Sequence, residues 1–404
     1  MVKKMKTAEF IALSACSMAL TAMGIDIMLP AFAAVRIHFH LPASSTDTAR
    51  IISFFFMGQV TQIIFGVLSD RYGRLSILRV GFPFYIIGGV VAAFGPSLHI
   101  IYAARFLTGM GASAVFMSTI AAVRDRFVGD EMARIMSLIF TIFLFTPVVA
   151  PFLGSAILAI SSWQGVFLAP PLMAVIVFCW SFRLEESLPR EHRVPLDWAS
   201  IGRSVKAVLS NGAFLRYTGI TTILFTALSS YVASSEHIVG EIYGRPKLFP
   251  WIFAGTGLLM SGCTLLNARL SALYGSRRII RWLLSIYTLI GGLLLLCTFM
   301  SGDPPAMLIF FAAVAIMLGI NLAVEPNSSS LALEPMGDVA GMAASIYGTA
   351  FFFLGATLGS FISHLMHHKV LPLVLSFFIM GVATVLLVFS DVRPLREKVT
   401  RQQV

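Results

Sequence analysis

Four ionisable side chains lie where the surrounding sequence is apolar: Asp26, Arg105, Glu236 and Glu325. A charge inside a stretch that could cross a bilayer is costly and by default faces a cavity and does chemistry there. The chemistry open to such groups is proton exchange and the holding of polar or charged solutes. Asp26 lies four residues before Pro30 in the outer half of the first stretch, where it either lines a pathway or sits at the water interface. Arg105, about a turn into the fourth stretch, either faces the interior or snorkels to the surface. Glu236 follows Tyr231, Ser234 and Ser235 near the outer end of the seventh, and adds a carboxylate either to an outer vestibule or to the interface. Asn321 and Glu325 are four apart on one helical face. They form either a polar site in the inner half of the pathway or a structural hydrogen bond.

The elements that must hold these groups are membrane helices. Hydrophobic residues make up 57% of the 404 and charged ones 12%, about half the charged share of a soluble domain. Apolar runs, each near the roughly 20 residues a spanning helix needs, alternate with short polar turns, and the length accommodates twelve of them without a large soluble domain. The net charge of +10 is no nucleic-acid footprint, because most cations gather in alternate connections. These include Lys3, Lys4, Lys6, Arg71, Arg74, Arg124, Arg126, Arg277, Arg278, Arg393 and Arg396, whereas Arg36, Arg50 and Lys369 fall in the outer loops. This is the positive-inside pattern, with both termini cytoplasmic. Cys16, Cys179, Cys263 and Cys297 fall within spans and lack ligand spacing, so no disulfide, metal or other cofactor is expected. The first run, about Ala8 to Phe32, is too long for the apolar core of a signal peptide and reads as a retained helix.

One charged stretch recurs. Gly66-Val67-Leu68-Ser69-Asp70-Arg71-Tyr72-Gly73-Arg74 separates the second and third runs, and Leu68-Ser69-x-x-Tyr72-Gly73 is matched half a chain later by Leu270-Ser271-x-x-Tyr274-Gly275. Glycines there permit a tight reversal. The repeat predicts two halves of like topology, the parallel-repeat form of a transporter.

The segment GVLSDRYGRL resembles the loop signature of the major facilitator superfamily. Other segments narrow the resemblance to drug:proton antiporters of the Bcr/CflA type, over nearly the whole chain. The resemblance implies twelve transmembrane helices in two six-helix bundles. The expected division is residues 1–185, a connection at 186–212, and residues 213–404 with a short tail. It links the Asp26 carboxylate to protons and cationic substrates, and Arg105, in Arg105-x-x-x-Gly109, to proton coupling. It implies a cytoplasmic gate of Gly66, Asp70, Arg71, Gly73 and Arg74, with Asp70 meeting the start of helix 11 near Asp338 to Ala344. The arginines would meet Asp125 at the end of helix 4. Pro147, Pro151 and Gly154 resemble the helix-5 antiporter signature, which is thought to pack on helix 8 at Gly255, Gly257, Ser261 and Gly262.

This chain departs from the pattern at Ser235-Glu236, where Ser-Pro is usual, at Glu325, normally apolar, and at Leu75, usually basic. The stretch from Arg183 to Gly212 reads as a solvated connection, and His364, His367 and His368 as neutral outer surface. The leading functional reading is a proton-coupled exporter of small organic compounds in the bacterial inner membrane, expected to act as a monomer with no nucleic-acid partner. On desolvation and Arg105, which act in opposite directions on Asp26, the sequence is silent as to the balance. A dedicated siderophore or metabolite exporter or importer is the alternative, and a membrane-embedded enzyme a remote one, since no H-E-x-x-H or G-x-S-x-G segment occurs.

Overall fold

The computed structural model describes residues 5–189, 191 and 198–390, and these are all helix, turn or connection. Lys3, Lys4, Arg393 and Arg396 lie outside the described residues. The spans are α1 (Thr7–His38), α2 (Ala49–Tyr72), α3 (Arg74–Phe94), α4 (Leu98–Arg126), α5 (Arg134–Ile160) and α6 (Trp163–Ser181). After the short helix Trp198–Leu209 come α7 (Gly212–His237), α8 (Pro246–Tyr274), α9 (Ser276–Ser301), α10 (Met307–Gly337), α11 (Ala340–His364) and α12 (Leu371–Phe389).

Eleven of these are long and apolar enough to cross a membrane. The twelfth, α7, has 26 residues and is long enough, but Thr218, Thr221, Thr222, Thr226, Ser229, Ser230, Ser234, Ser235 and Glu236 lower its apolarity. Every one of those side chains is buried. A polar helix survives at bilayer depth because protein, not lipid, surrounds it.

The two halves repeat one another in packing. In the first, α3 and α2 pack on α4, α3 on α6, and α1 on α4, α5 and α6; in the second, α9 and α8 pack on α10, α9 on α12, and α7 on α10, α11 and α12. Adding six to each number of the first set yields the second. Between halves, α2 meets α11 and α5 meets α8, which are again the same contact under that shift. The duplicated turns share a backbone too: Gly73 has φ 97 and ψ 153, and Gly275 has φ 81 and ψ 144. Only glycine takes that conformation readily, and it lets one residue separate two antiparallel spans.

Several spans are locally broken near the seam. The first span is helical to Asp26, turns through Ile27 and Met28, and continues as a 3-10 turn, Leu29–Ala31. Pro30 cannot donate a backbone hydrogen bond, so the ladder fails there. In α2 a 3-10 turn covers Gln59–Thr61, and facing it α11 carries a π-turn, Ala350–Leu354. Thr349 Oγ1 donates to the Val60 carbonyl at 3.3 Å between them.

Candidate functional site

Asp26 closes the first helical stretch and is 5% exposed. Among the described residues no ion pair or side-chain hydrogen bond reaches its carboxyl. The break at Ile27 follows at once, and Gly154 of α5 packs directly on the Ile27 carbonyl. Gly154 therefore faces α1 and not α8. The α5–α8 contact itself is made by Pro147 against Gly257 and by Phe152 edge-on to Trp251, with ring centroids 5.0 Å apart. Gly255 and Gly262 face open space, so of the glycines expected to receive helix 5, Gly257 alone does so. Pro151 lies in the same helix interior as Pro147.

Arg105 is 0% exposed and does not snorkel. Its Nη2 donates to the Gly24 carbonyl at 2.5 Å and its Nε to the Ile51 carbonyl at 3.4 Å. The guanidinium lies 4.5 Å from the Phe55 ring centroid, a cation–π distance. Nη1 is buried without a partner among the described residues. Arg105 thus ties α4 to α1 and α2, and it grips the backbone two residues before Asp26, not the carboxylate. Such an approach needs Gly109, where a side chain would overlap the Phe55 carbonyl. Tyr85 adds a further α3–α1 tie, donating to the Leu20 carbonyl at 2.6 Å.

In the second half, Asn321 Nδ2 donates to the Leu224 carbonyl of α7 at 2.5 Å. Glu325 accepts from the Tyr347 hydroxyl of α11 at 3.3 Å. Both therefore join α10 to its bundle neighbours, and no contact brings Glu325 to Asp26. Tyr347 stacks on Phe351 at 6.2 Å, Phe351 meets Phe225 at 4.3 Å, and Phe225 meets Phe56 of the first half at 5.1 Å. This aromatic chain runs from Glu325 to the seam. Tyr231 is buried toward α8, its hydroxyl 3.5 Å from Thr256 Oγ1. Gln59 and Gln62, buried in the broken part of α2, were not singled out by sequence; Gln62 donates to Gln59 Oε1 at 3.2 Å, and Gln59 Nε2 has no partner among the described residues.

At the end carrying the duplicated turns, Arg74 is the hub. It donates to Asp70 at 2.5 Å and to Asp125 at 2.9 Å. Arg71 lies instead over the Tyr72 ring, 5.3 Å from its centroid. The α2–α11 contact at this end is made by Gly66 against Ser345; among the described side chains, which do not include Asp338, Asp70 pairs with Arg74 and makes no ion pair with the start of helix 11. The connection is not merely solvated, for Glu186 accepts from the backbone N–H groups of Arg74 at 2.9 Å and Leu75 at 3.2 Å. That is a carboxylate on the half-buried start of α3, where free N–H groups and the helix dipole favour an anion.

At the other end, Arg36 is no loop cation. It is 2% exposed in the short helix Phe32–His38, and its Nη1 and Nη2 donate to Glu236 at 2.8 and 3.0 Å. Nη2 also reaches Glu241 at 3.2 Å. Glu236 is therefore neither an open vestibule carboxylate nor an interfacial one. His364 also faces the opposite half, its Nδ1 3.4 Å from Thr46 Oγ1.

Two matching six-helix bundles meeting along α2–α11 and α5–α8, with ionisable groups buried beside the seam, define a multi-pass membrane transporter. The Major Facilitator Superfamily profile matches residues 14–360, and the chain belongs to that superfamily. A bicyclomycin resistance protein homolog of Haemophilus influenzae is 28% identical over 380 residues, 92% of each chain. The MFS-type transporter YdgK of Bacillus subtilis is 28% identical over 354 residues, 85% of each. The multidrug resistance protein MdtL of Shigella flexneri is 30% identical over 234 residues, 57% of this chain and 58% of that one. Among solved structures, a D-xylose–proton symporter superposes with a TM-score of 0.74 at 14% identity, covering 96% of this chain and 98% of the other, which establishes the fold. The family is one of transporters, not enzymes.

Proposed function

We propose that this protein exports small organic compounds across the bacterial inner membrane in exchange for protons, by alternating access at the seam between its halves. The observation that carries the reading is Asp26, a carboxyl 5% exposed with no cation paired to it among the described residues. An unpaired buried carboxylate is costly. A proton or a cationic substrate removes that cost, and the two compete for the same group. Arg105 acts as a positioning residue, holding the Gly24 carbonyl and so the backbone that presents Asp26. Glu325 and Asn321 supply polar contacts in the second half, Tyr231 ties α7 to α8, and the helix break after Asp26 gives the hinge. The Arg74 hub holds the turn end closed. Arginines 71, 74, 124, 126, 277 and 278 gather at that end, which supports placing it, and both termini, in the cytoplasm. The protein works as a monomer, each bundle being one rocking unit. The names of the bicyclomycin-resistance and multidrug-resistance relatives support drugs as substrates.

The test is reconstitution in proteoliposomes holding a pH dye, with cationic drugs, zwitterionic antibiotics and siderophores offered in turn. Proton flux on adding a cationic drug supports the drug antiporter. Flux with siderophores alone replaces the substrate, and silence with every compound overturns proton coupling.

A further inference from the structure

Arg36 and Glu236 stand 200 positions apart, one in each half, yet make two hydrogen bonds of 2.8 and 3.0 Å. Their side chains are 2% and 7% exposed. Thr48 Oγ1 of the first half accepts a further hydrogen bond from Arg36 at 3.3 Å, and Glu241, with its side chain 34% exposed, lies 3.2 Å away on the solvent side. We propose that the Arg36–Glu236 pair is an interhalf latch that closes the end of the transport seam opposite the duplicated turns, with Glu241 as the second acceptor that takes the guanidinium toward water as the halves part.

The physical argument is one of compensation. Each member of the pair is buried where the halves meet and is neutralised by a group of the other half. Separation of the halves re-solvates both charges; closure withdraws both from water together. A buried pair of this sort adds little net stability, but removing one partner strands the other. Its consequence is therefore selective, because the stranded charge is tolerable only in the open arrangement, where water reaches it. The backbone fits the role. Arg36 stands on a short helix set off from the Asp26 stretch by the Ile27 break, and Glu236 stands just before a π-turn, Ile238–Ile242, that carries Glu241. Glu236 thus stands next to a backbone irregularity, and Arg36 on a short helix that follows one, and both irregularities can absorb a movement. The pair sits at the opposite end from Arg74, so each end has its own charged fastening. The turn-end one is contained within the first half (Asp70, Arg74, Asp125) and acts through Gly66 on α11, whereas this one bridges the halves directly. Local sequence cannot reveal it, since neither Arg36 nor Glu236 has its partner nearby.

The test uses full-length protein in lipid nanodiscs without substrate, with spin labels on the loop before α4 and the loop before α10, and reads the distance distribution at that end. It requires no substrate, so its outcome is independent of the drug assignment. Arg36→Gln, which strands Glu236, is expected to raise the ratio of long to short distances about tenfold or more, and Glu236→Gln, which leaves Arg36 the Glu241 carboxylate, to raise it by less. The exchanged pair Arg36→Glu with Glu236→Arg is expected to return it toward the wild-type ratio. Unchanged distances in both single variants overturn the latch. So does a well-folded exchange variant that stays open. Should a single variant fail to yield monodisperse protein, the exchange variant decides alone, closed supporting the latch and open refuting it.

Discussion

Gly154 of α5 is seated on the carbonyl oxygen of Ile27, one residue beyond Asp26; a methyl group there would overlap that oxygen and approach the Pro30 ring to 3.3 Å. Overpacking of this kind costs about 1–3 kcal/mol, and here α1 has to move away from α5 at the residue proposed to bind protons. Gly154→Ala is expected to lower the initial rate of substrate-driven proton flux about tenfold in proteoliposomes. Gly255→Ala, on α8 where nothing lies within 4 Å, is expected to transport at the parental rate. Equal rates for the two variants would show that the α5–α1 approach does not govern transport.

Asp26→Asn keeps the shape of the carboxyl and removes its capacity to carry charge. With no cation partner to strand among the described residues, the variant is expected to fold and run as a monodisperse species like the parent. Proton flux on adding substrate should fall by at least about a hundredfold, the lower end of the scale on which a positioned proton-transfer group contributes. Asp26→Glu should retain part of it. Unaltered flux in Asp26→Asn would remove this residue from the mechanism.

Gly73 and Gly275 share one backbone conformation but not one set of neighbours. Alanine at either position meets strain of about 1–3 kcal/mol, so both variants should unfold at lower temperature in detergent. Gly73 alone adjoins the Asp70, Arg74, Asp125 and Glu186 cluster. Transport measured at a temperature where both proteins are folded should drop in Gly73→Ala and stay near parental in Gly275→Ala. A matched loss in both would make the turn a purely structural device.

Glu186 accepts from four backbone N–H groups, those of Arg74, Leu75, Ser187 and Leu188, at 2.9 to 3.2 Å. Losing such a cap costs about 1 kcal/mol. Glu186→Ala should therefore lower thermal stability and free the start of α3, visible as faster amide hydrogen exchange at residues 74 and 75. Glu186→Gln should fall between the two. Protection unchanged in Glu186→Ala would mean that the turn itself, not the connection, holds the helix start.

The spans, the duplicated turns and the existence of two like halves are legible in the chain because each rests on local chemistry: apolar runs, glycine at a forced backbone, cations at one end. Even α7, too polar to pass as a span by hydropathy, is marked by its length between turns. What local chemistry does not carry is pairing across the seam. Arg36 stands in Ala34-Val35-Arg36-Ile37-His38, which reads as the frayed end of a helix, and its partner lies 200 residues away. Glu186 stands in a charged stretch that has the composition of a solvated loop, yet it caps a helix more than a hundred residues earlier. The types of the candidate residues at Asp26, Arg105 and Glu325 could be read directly. Their partners could not: Arg105 takes backbone carbonyls, not an acid, and Glu325 takes a tyrosine from α11.

Arg105 offers the sharpest discrimination between charge and shape. Its guanidinium reaches the Gly24 carbonyl, the Ile51 carbonyl and the face of Phe55 at once, three directions that a planar fork can serve and a point-like ammonium cannot. If the charge alone mattered, Arg105→Lys would behave as the parent. If the fork positions the Asp26 backbone, lysine leaves at least one carbonyl unserved, and an unserved buried polar group costs about 1–3 kcal/mol. Arg105→Lys is therefore expected to lose transport nearly as fully as Arg105→Gln, and to loosen the first span, seen as faster labelling of a cysteine placed at Ile25. Parental flux in Arg105→Lys together with loss in Arg105→Gln would transfer the role from geometry to charge.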